Sequence, residues 1–549
     1  MRSGSNSKMK FTLNSYLSDK ALERLQLAIL VIFSIIPLFI QLPFKINLFL
    51  AWEGAYRLSI GQIPFKDFSL PMGFGFWLIP ALFFKIFGPY LFTLVKAQVF
   101  INLVSGLVFR SILKKLSVEP AKRLLALLFF CISYIFIHFW PWYNHSVFVF
   151  ELIAIDLVIS YMLTASFKRK VIYLSLCTFF IVLSFFTKQD GGALAITTVS
   201  TLMLYLVILE KDWRGFLVYS GTALLWIAAF VLPFLPYDFG YWFNVGQEPH
   251  NSRVKISDIL TDAFEGSLWI KFYLLIIAFI LFEKIQNWKE FFHNKTEFIF
   301  ALLILCILGQ AMLVQVTSYI PHTVNIYFHS FVIAYILHSV HLNFKIQRTW
   351  VLGVLICLIL FWWSADYWRY GKRIISRIAP SLVGGKVTLN EVSKYSWAVP
   401  DSTKIEKPLV WKASDFRTFR GVLLPEETIE GMETILNLEI VKSKKDLKVL
   451  NMSELTPLAY EIGFTPIINQ PLWFHRNVSV FDRDIEILCK NIEAHQYDLV
   501  LFEEIPELNQ FYPEAVRISL QKYYSKVASF QAPRDLSKSF IEVYTKEVN

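Results

Sequence analysis

The run PMGFGFWLIPALFFKIF, residues 71–87, can be read in two ways, and the two readings give opposite topologies. It is apolar enough for a membrane span. Yet Pro71, Gly73, Gly75 and Pro80 are poorly suited to a straight helix facing lipid. Counted as a span, it moves every later loop to the other side of the membrane.

The rest of the chain settles the choice. Of the 549 residues, 55% are hydrophobic and only 17% are charged, with a mean hydropathy of +0.49. Soluble proteins carry about 25% charged residues, so this chain needs a solvent other than water. That excludes an ordinary soluble enzyme, a disordered chain and a coiled coil. A crossing helix takes about 20 apolar residues. Runs of that kind fall near 25–43, 90–109, 121–140, 146–166, 171–187, 192–209, 215–235, 268–283, 296–316, 325–342 and 349–364. With these eleven spans, one face collects 20 Lys and Arg residues and the other only 7. The rich face holds Arg2, Lys8, Lys10, Lys20 and Arg24, the loop 110–123 and four later loops. Basic loops stay in the cytoplasm. A twelfth span at 71–87 would destroy the bias, so that run is expected as an interfacial or re-entrant helix on the outer face.

The expected fold is therefore an α-helical multi-pass membrane protein of about 11 transmembrane helices with a C-terminal exoplasmic α/β domain. Residues 1–24 form a cytoplasmic arm. Residues 25–364 form the transmembrane domain, with its first exoplasmic loop at 44–89, and residues 365–549 form the tail domain. Loops 141–145, 188–191, 236–267 and 317–324 share the tail's side. Residues 1–365 carry a net +11 and the remainder −1, so the basic excess lies between spans. Membrane orientation explains it better than a nucleic-acid partner does. In the tail, 448–451 and 498–502 read as buried strands, and 482–495 and 513–528 are amphipathic at helical spacing. Four of the five cysteines sit in apolar runs, and no CxxC or Cys/His spacing suggests a disulfide framework or a zinc site.

The first outer loop carries the chemistry. It reads AWEGAYRLSIGQIPFKDFSLPMGFGFW over 51–77 and sets Glu53 and Asp67 among Trp, Tyr, Phe and Pro. Residues 50–60 suit an interfacial helix that Gly61, Gln62, Ile63 and Pro64 end. Carboxylates at a low-dielectric boundary have raised pKa values and can act as general bases near neutral pH. Equally, both could be interfacial acids paired with Arg57 and Lys66.

Glu53, then GQIPFKDF at 61–68, then Pro71 and Gly73, then a helix ending in Lys85, Ile86, Phe87 and Gly88: this pattern resembles the first loop of the polytopic GT-C glycosyltransferases. Protein O-mannosyltransferases and the lipid A aminoarabinose transferase belong to that superfamily. There the loop follows the first span and carries acidic catalytic or metal-binding residues. The resemblance implies a sugar donor linked to polyprenyl phosphate, presented on the exoplasmic side. It also implies Glu53 or Asp67 as the base of an inverting transfer, and one of the two as ligand if a divalent metal takes part. Many members carry an adjacent acidic pair at the first position. Here Gly54 follows Glu53, so either acid can take either role.

A departing lipid phosphate needs positive charge or donors. Lys188, His250, Arg253 and Arg57 are the candidate phosphate ligands, with Asp190, Tyr319 and His322 as candidate substrate contacts. The plainer readings are a snorkelling lysine, a turn aspartate, solvated loops and a structural histidine. Residues 140–145, WPWYNH, fit an aromatic belt better than a sugar platform. Glu151 and Asp156 fall within a span, where carboxylates are costly. They support a rival reading, a transporter or flippase of lipid-linked saccharide, unless they pair with Lys96 or bond Asn102. The favoured reading is a membrane glycosyltransferase with an exoplasmic glycolipid, polysaccharide or protein acceptor. Its composition and lack of outer disulfides suit a bacterial inner membrane, with the N-terminus cytoplasmic and the tail periplasmic.

Overall fold

Apolar runs fold into helices where their ends find partners. Ser18 caps the first helix, Asp19–Ile35, by accepting a hydrogen bond from the Ala21 N–H. The computed structural model describes residues 15–45, 48–69, 73–133, 136, 138–237, 255–317, 327–378, 409–474, 476, 479–505, 512–534 and 539–546. Among them, six helices are long and apolar enough to cross a membrane: Asp19–Phe39, Leu91–Lys115, Tyr143–Leu163, Gln189–Glu210, Trp213–Phe234 and Lys295–Thr317. Helices Phe167–Phe185, Leu268–Ile285, Phe328–Ser339 and Thr349–Trp362 fill further apolar runs. The run 121–140 is a correction. Its helix, Pro120–Cys131, stops early, and the Asn102 side chain donates to the Phe136 carbonyl at 3.0 Å. A buried polar side chain thus satisfies backbone that has left the helix.

The helices run back and forth between two ends. At one end the basic loops meet their acids. Glu23 pairs with Arg123 at 3.0 Å, Lys115 with Asp156 at 2.7 Å and Lys295 with Glu210 at 2.5 Å. At the other end Lys45 lies over Trp140 at 6.0 Å, Gly75 N–H donates to the Phe186 carbonyl at 2.9 Å, and Phe65 meets Phe234 at 5.6 Å.

The ambiguous run is a short helix. After a 3-10 turn at Gly75–Trp77, helix Leu78–Phe87 has 10 residues. That rises about 15 Å, half of the roughly 30 Å hydrocarbon core. Phe83 packs on Phe100 at 5.7 Å, so the helix lies beside Leu91–Lys115, and Gly88 at φ 84 ends it. The segment before it is clamped. A Cβ on Gly73 would stand 1.7 Å from the Phe186 carbonyl oxygen.

The tail holds a four-stranded sheet in the order Val449–Met452, Leu499–Glu504, Phe540–Thr545, Ser525–Gln531. The first pair is parallel and the others antiparallel. Helices Asp482–Glu493 and Glu514–Tyr523 pack on it. The amphipathic stretch 513–528 thus ends sooner than its periodicity suggests, because Ser525–Gln531 pairs as an edge strand. First loop and tail share backbone hydrogen bonds. Leu42–Pro43 runs parallel to Val422–Pro425, Phe68–Ser69 pairs with Gln470–Pro471, and Leu91 N–H donates to the Thr418 carbonyl at 2.9 Å. Trp52, Phe65 and Phe84 of the loop share one apolar core with Phe419, Leu424 and Leu472 of the tail. The tail therefore sits at the first loop's end of the bundle.

Gly73→Ala is expected to lower the thermal unfolding midpoint of the purified protein, with a cost of about 1–3 kcal/mol from overpacking. Gly221→Ala, where a Cβ meets nothing within 4 Å, should leave the midpoint unchanged or higher. Equal midpoints for the two variants would show that the 73–75 segment is not clamped.

Candidate functional site

Helix Leu48–Ser59 brings Glu53 and Arg57 onto one face, one turn apart. Its end forms as its glycine dictates: Gly61 adopts φ 91 and its N–H donates to Leu58, while Gln62 N–H donates to the Arg57 carbonyl. Two tryptophans fix the helix. Trp52 donates to the Pro89 carbonyl and Trp77 to the Leu50 carbonyl, each at 2.9 Å. Trp77 also explains the lone acid. A Cβ on Gly54 would lie 2.0 Å from the Trp77 ring, so no second carboxylate fits beside Glu53.

Arg57 is fully buried and its guanidinium is shared out. Nη2 and Nε donate to Glu53 Oε1 at 2.7 and 2.9 Å, and Nη1 donates to Gln62 Oε1 and to the Ile467 carbonyl at 2.9 and 2.8 Å. Phe68 lies under it at 5.6 Å. This corrects the expectation for Arg57: those donors face Glu53 and the tail, not an incoming phosphate. Gln62, which the sequence reading passed over, donates in turn to the Pro466 carbonyl at 2.9 Å. Burial pushes the Glu53 carboxyl above its ordinary value, against the charge and hydrogen bonds of Arg57, which pull it down. Its other oxygen, Oε2, accepts no hydrogen bond from the described residues.

Asp67 is half-buried in the turn after this helix. Its Oδ2 accepts from the Ile63 N–H at 2.8 Å and its carbonyl accepts from the Asn469 N–H at 2.7 Å. Lys66 does not pair with it but lies 5.7 Å over Tyr237. Lys188 stands before helix Gln189–Glu210, bonded to Asp190 at 3.0 Å and 5.8 Å over the Tyr143 ring. Burial draws the ammonium below its ordinary value, against Asp190, which raises it. Gly192 lets this turn pack against the preceding helix, since a Cβ there would meet Phe185 Cα at 2.1 Å. Rings bridge the two groups. Tyr143 meets Phe76 at 5.8 Å, Phe76 meets Trp77 at 4.7 Å and Trp77 meets Phe68 at 5.8 Å. Glu53, Asp67, Lys188 and Asp190 thus belong to one packed end of the molecule. His250, Arg253, Tyr319 and His322 lie outside the described residues.

Three other expectations change. Trp140 and Trp142 are buried in the core rather than forming a lipid-facing belt. Asp156 pairs with Lys115, whose ammonium also donates to Ser160 at 2.6 Å, and not with Lys96 or Asn102. Glu151 accepts from Tyr327 at 3.0 Å and from Gln310, again not from Lys96 or Asn102. Among the described residues no three His, Cys, Asp or Glu side chains group as a metal site.

No family model and no curated protein matches the chain. Two solved structures of ArnT from Cupriavidus metallidurans are similar in fold. The apo state gives a TM-score of 0.47 at 12% identity, covering 95% of this chain and 98% of that chain. The structure bound to undecaprenyl phosphate gives 0.48 at 11% identity, covering 96% and 98%.

Arg57→Met leaves Glu53 buried without its partner and should cost roughly 3–5 kcal/mol, the usual penalty for breaking a buried pair. Adding Glu53→Gln should restore part of that loss, read from denaturant unfolding in detergent. A double variant no more stable than Arg57→Met would mean that Glu53 carries no buried charge.

Proposed function

We propose that the protein is a GT-C-type membrane glycosyltransferase moving a sugar from a polyprenyl-phosphate donor to an exoplasmic glycolipid, polysaccharide or protein. The observation that carries this reading is Glu53: a buried carboxylate with a raised pKa, one oxygen fixed by Arg57 and the other unbonded among the described residues, set where the first loop meets the tail. Such a group is oriented and basic enough to take a proton.

In the proposed step the acceptor hydroxyl gives its proton to Glu53 Oε2 while its oxygen attacks the anomeric carbon. The bond from that carbon to the phosphate oxygen breaks, the lipid phosphate leaves with the electron pair, and the anomeric centre inverts. Arg57 positions the base. Lys188 meets the negative charge growing on the phosphate, and Asp190 holds Lys188 for it. Asp67 orders the loop beside the base and remains the alternative base. No step runs through a metal. His250, Arg253, Tyr319 and His322 belong to loops on the same side in this reading.

The topology proposed with it has eleven spans, a cytoplasmic N-terminus and a periplasmic tail in a bacterial inner membrane. Support comes from the 20-to-7 bias of Lys and Arg and from the joining of the first loop to the tail. The transporter reading loses its footing, because Asp156 is tied to Lys115 and Glu151 to Gln310 and Tyr327.

Sidedness is checked with an impermeant maleimide on intact cells in a Cys-free background. Glu430→Cys should label and Lys168→Cys should not; the reverse pattern overturns the topology.

Glu53→Gln should lower transfer in a labelled-donor membrane assay about a hundredfold, the scale of general-base catalysis. Asp67→Asn takes that loss instead if Asp67 is the base. The active form is deprotonated, so a raised pKa moves the acid limb of kcat/KM to a pH above the ordinary glutamate value of 4.5, and Glu53→Gln should remove it. Full activity in both variants excludes the assignment.

Lys188→Met should reduce donor use about ten- to a hundredfold, as loss of a charged hydrogen bond does. Lys85→Met, on an exposed position of helix Leu78–Phe87, should not. Equal activity of the two would reduce Lys188 to an anchor.

A further inference from the structure

We infer that a second anion site lies at this end of the molecule, in the cleft between the start of helix Leu91–Lys115 and the tail, and that it takes the phosphate of a lipid head group. The inference is independent of the transfer reading. A cavity of 520 Å³ opens there, lined by Tyr90, Phe92, Lys96, Arg417, Arg420 and Gly421 among others. Three of its lining residues are cations, and none is an acid.

These charges come from two elements held together by backbone. Lys96 stands in the second turn of the helix, and Arg417 and Arg420 lie on the connection leading into strand Val422–Pro425. Leu91 N–H donates to Thr418 at 2.9 Å and Leu42 N–H to Gly421 at 3.3 Å, so the cleft is fixed on both sides. Gly421, at φ 87, brings the tail onto Phe92, where a Cβ would lie 3.2 Å from the ring. One carboxylate stands beside the cleft: Glu461 accepts from the backbone N–H groups of Arg417 and Thr418 at 3.3 and 2.8 Å and from the Thr418 hydroxyl, and among the described residues forms no salt bridge with the cations. Among the described residues, no salt bridge forms to Lys96, Arg417 or Arg420. Their contacts are with rings: Arg417 over Tyr90 at 5.1 Å, Lys96 over Phe87 at 4.6 Å and over Phe92 at 5.8 Å. Three cations beside one carboxylate leave the cleft with a net positive charge, which a bound anion neutralises. The N-terminus of a 25-residue helix adds its positive end to the same cleft. Phosphate oxygens match guanidinium forks in geometry as well as charge.

The lipid follows from what borders the cleft. Phe87, whose ring meets Lys96, is 46% exposed, and Leu82, Ile86 and Phe100 around it are 57%, 62% and 46% exposed. Helix Leu78–Phe87 packs on Leu91–Lys115 through Phe83 and Phe100, so these residues continue from the cavity along one outer flank. A phosphate in the cleft has apolar surface beside it for acyl chains. Inorganic phosphate would leave that surface unused.

The test uses the full chain in detergent, titrated with phosphatidylglycerol or phosphatidylcholine, with bound lipid counted by native mass spectrometry. Phosphatidylglycerol should be retained preferentially, and Arg417→Gln combined with Arg420→Gln should weaken its binding about tenfold or more. Lys96→Met alone should weaken it in the same direction. The control, Lys445→Gln with Lys490→Gln, removes two exposed tail charges away from the cleft and should leave binding unchanged. Equal retention by the Arg417/Arg420 variant and the parent overturns the site. Displacement of the lipid by an equimolar amount of inorganic phosphate overturns the lipid assignment. Glycosyl transfer is not the readout, so this inference and the transfer reading fail separately.

Discussion

The Arg57 guanidinium is the point on which the outer end depends. It is fully buried, and it satisfies a carboxylate on its own helix, a carboxamide in the turn after that helix, and a carbonyl 410 residues away in the tail. A buried ion pair rarely stabilises much by itself, because removing two charges from water costs about what their attraction returns. Its value lies in specification. Only one arrangement of loop and tail satisfies all of these donors at once, and any slip leaves a charge stranded in an apolar surround. The apolar core shared by loop and tail supplies the burial, and Arg57 selects the register.

That arrangement sets the electrostatics of Glu53. Held at the surface, the same pair would be screened and the acid would stay near its ordinary value. Under the tail, desolvation outweighs the guanidinium and the acid becomes a better base. In the proposed transfer the tail donates no catalytic group: it gives Arg57 a third partner, the Ile467 carbonyl, and so holds the guanidinium against Glu53. Trp77 contributes similarly by exclusion, since the space it takes over Gly54 leaves Glu53 as a single acid.

Local signals were legible in the sequence and distant ones were not. The Gly61–Pro64 stop, the short helix within 71–87 and the tail strands Val449–Met452 and Leu499–Glu504 follow from glycine, proline and hydrophobic periodicity acting within a turn or two. The partnership of Arg57 with Ile467 does not, because no local pattern encodes a contact across 410 residues. Two-residue strands such as Leu42–Pro43 are too short to show alternation, yet they carry the joint between loop and tail. The early stop of Pro120–Cys131 was hidden for a related reason: the run stays apolar to residue 140, and only Asn102 on another helix shows where its backbone hydrogen bond goes. Trp140 and Trp142 look like belt residues from composition, but Trp142 packs on Phe76 and Tyr143, and Trp140 meets His138 and Lys45.

The cations at this end divide by their surroundings. Lys188 is half-buried, neutralised in part by Asp190 and backed by an aromatic ring, so it presents a single charge in a fixed place. Arg417 and Arg420 are exposed and carry planar forks on a loop pinned at its backbone. Burial sharpens the field around Lys188 because little water screens it, which suits a group that must respond to charge developing on one oxygen. Exposure weakens each arginine contact, and only several acting together can hold a ligand. The proposed site for chemistry and the proposed site for docking call for these two different designs.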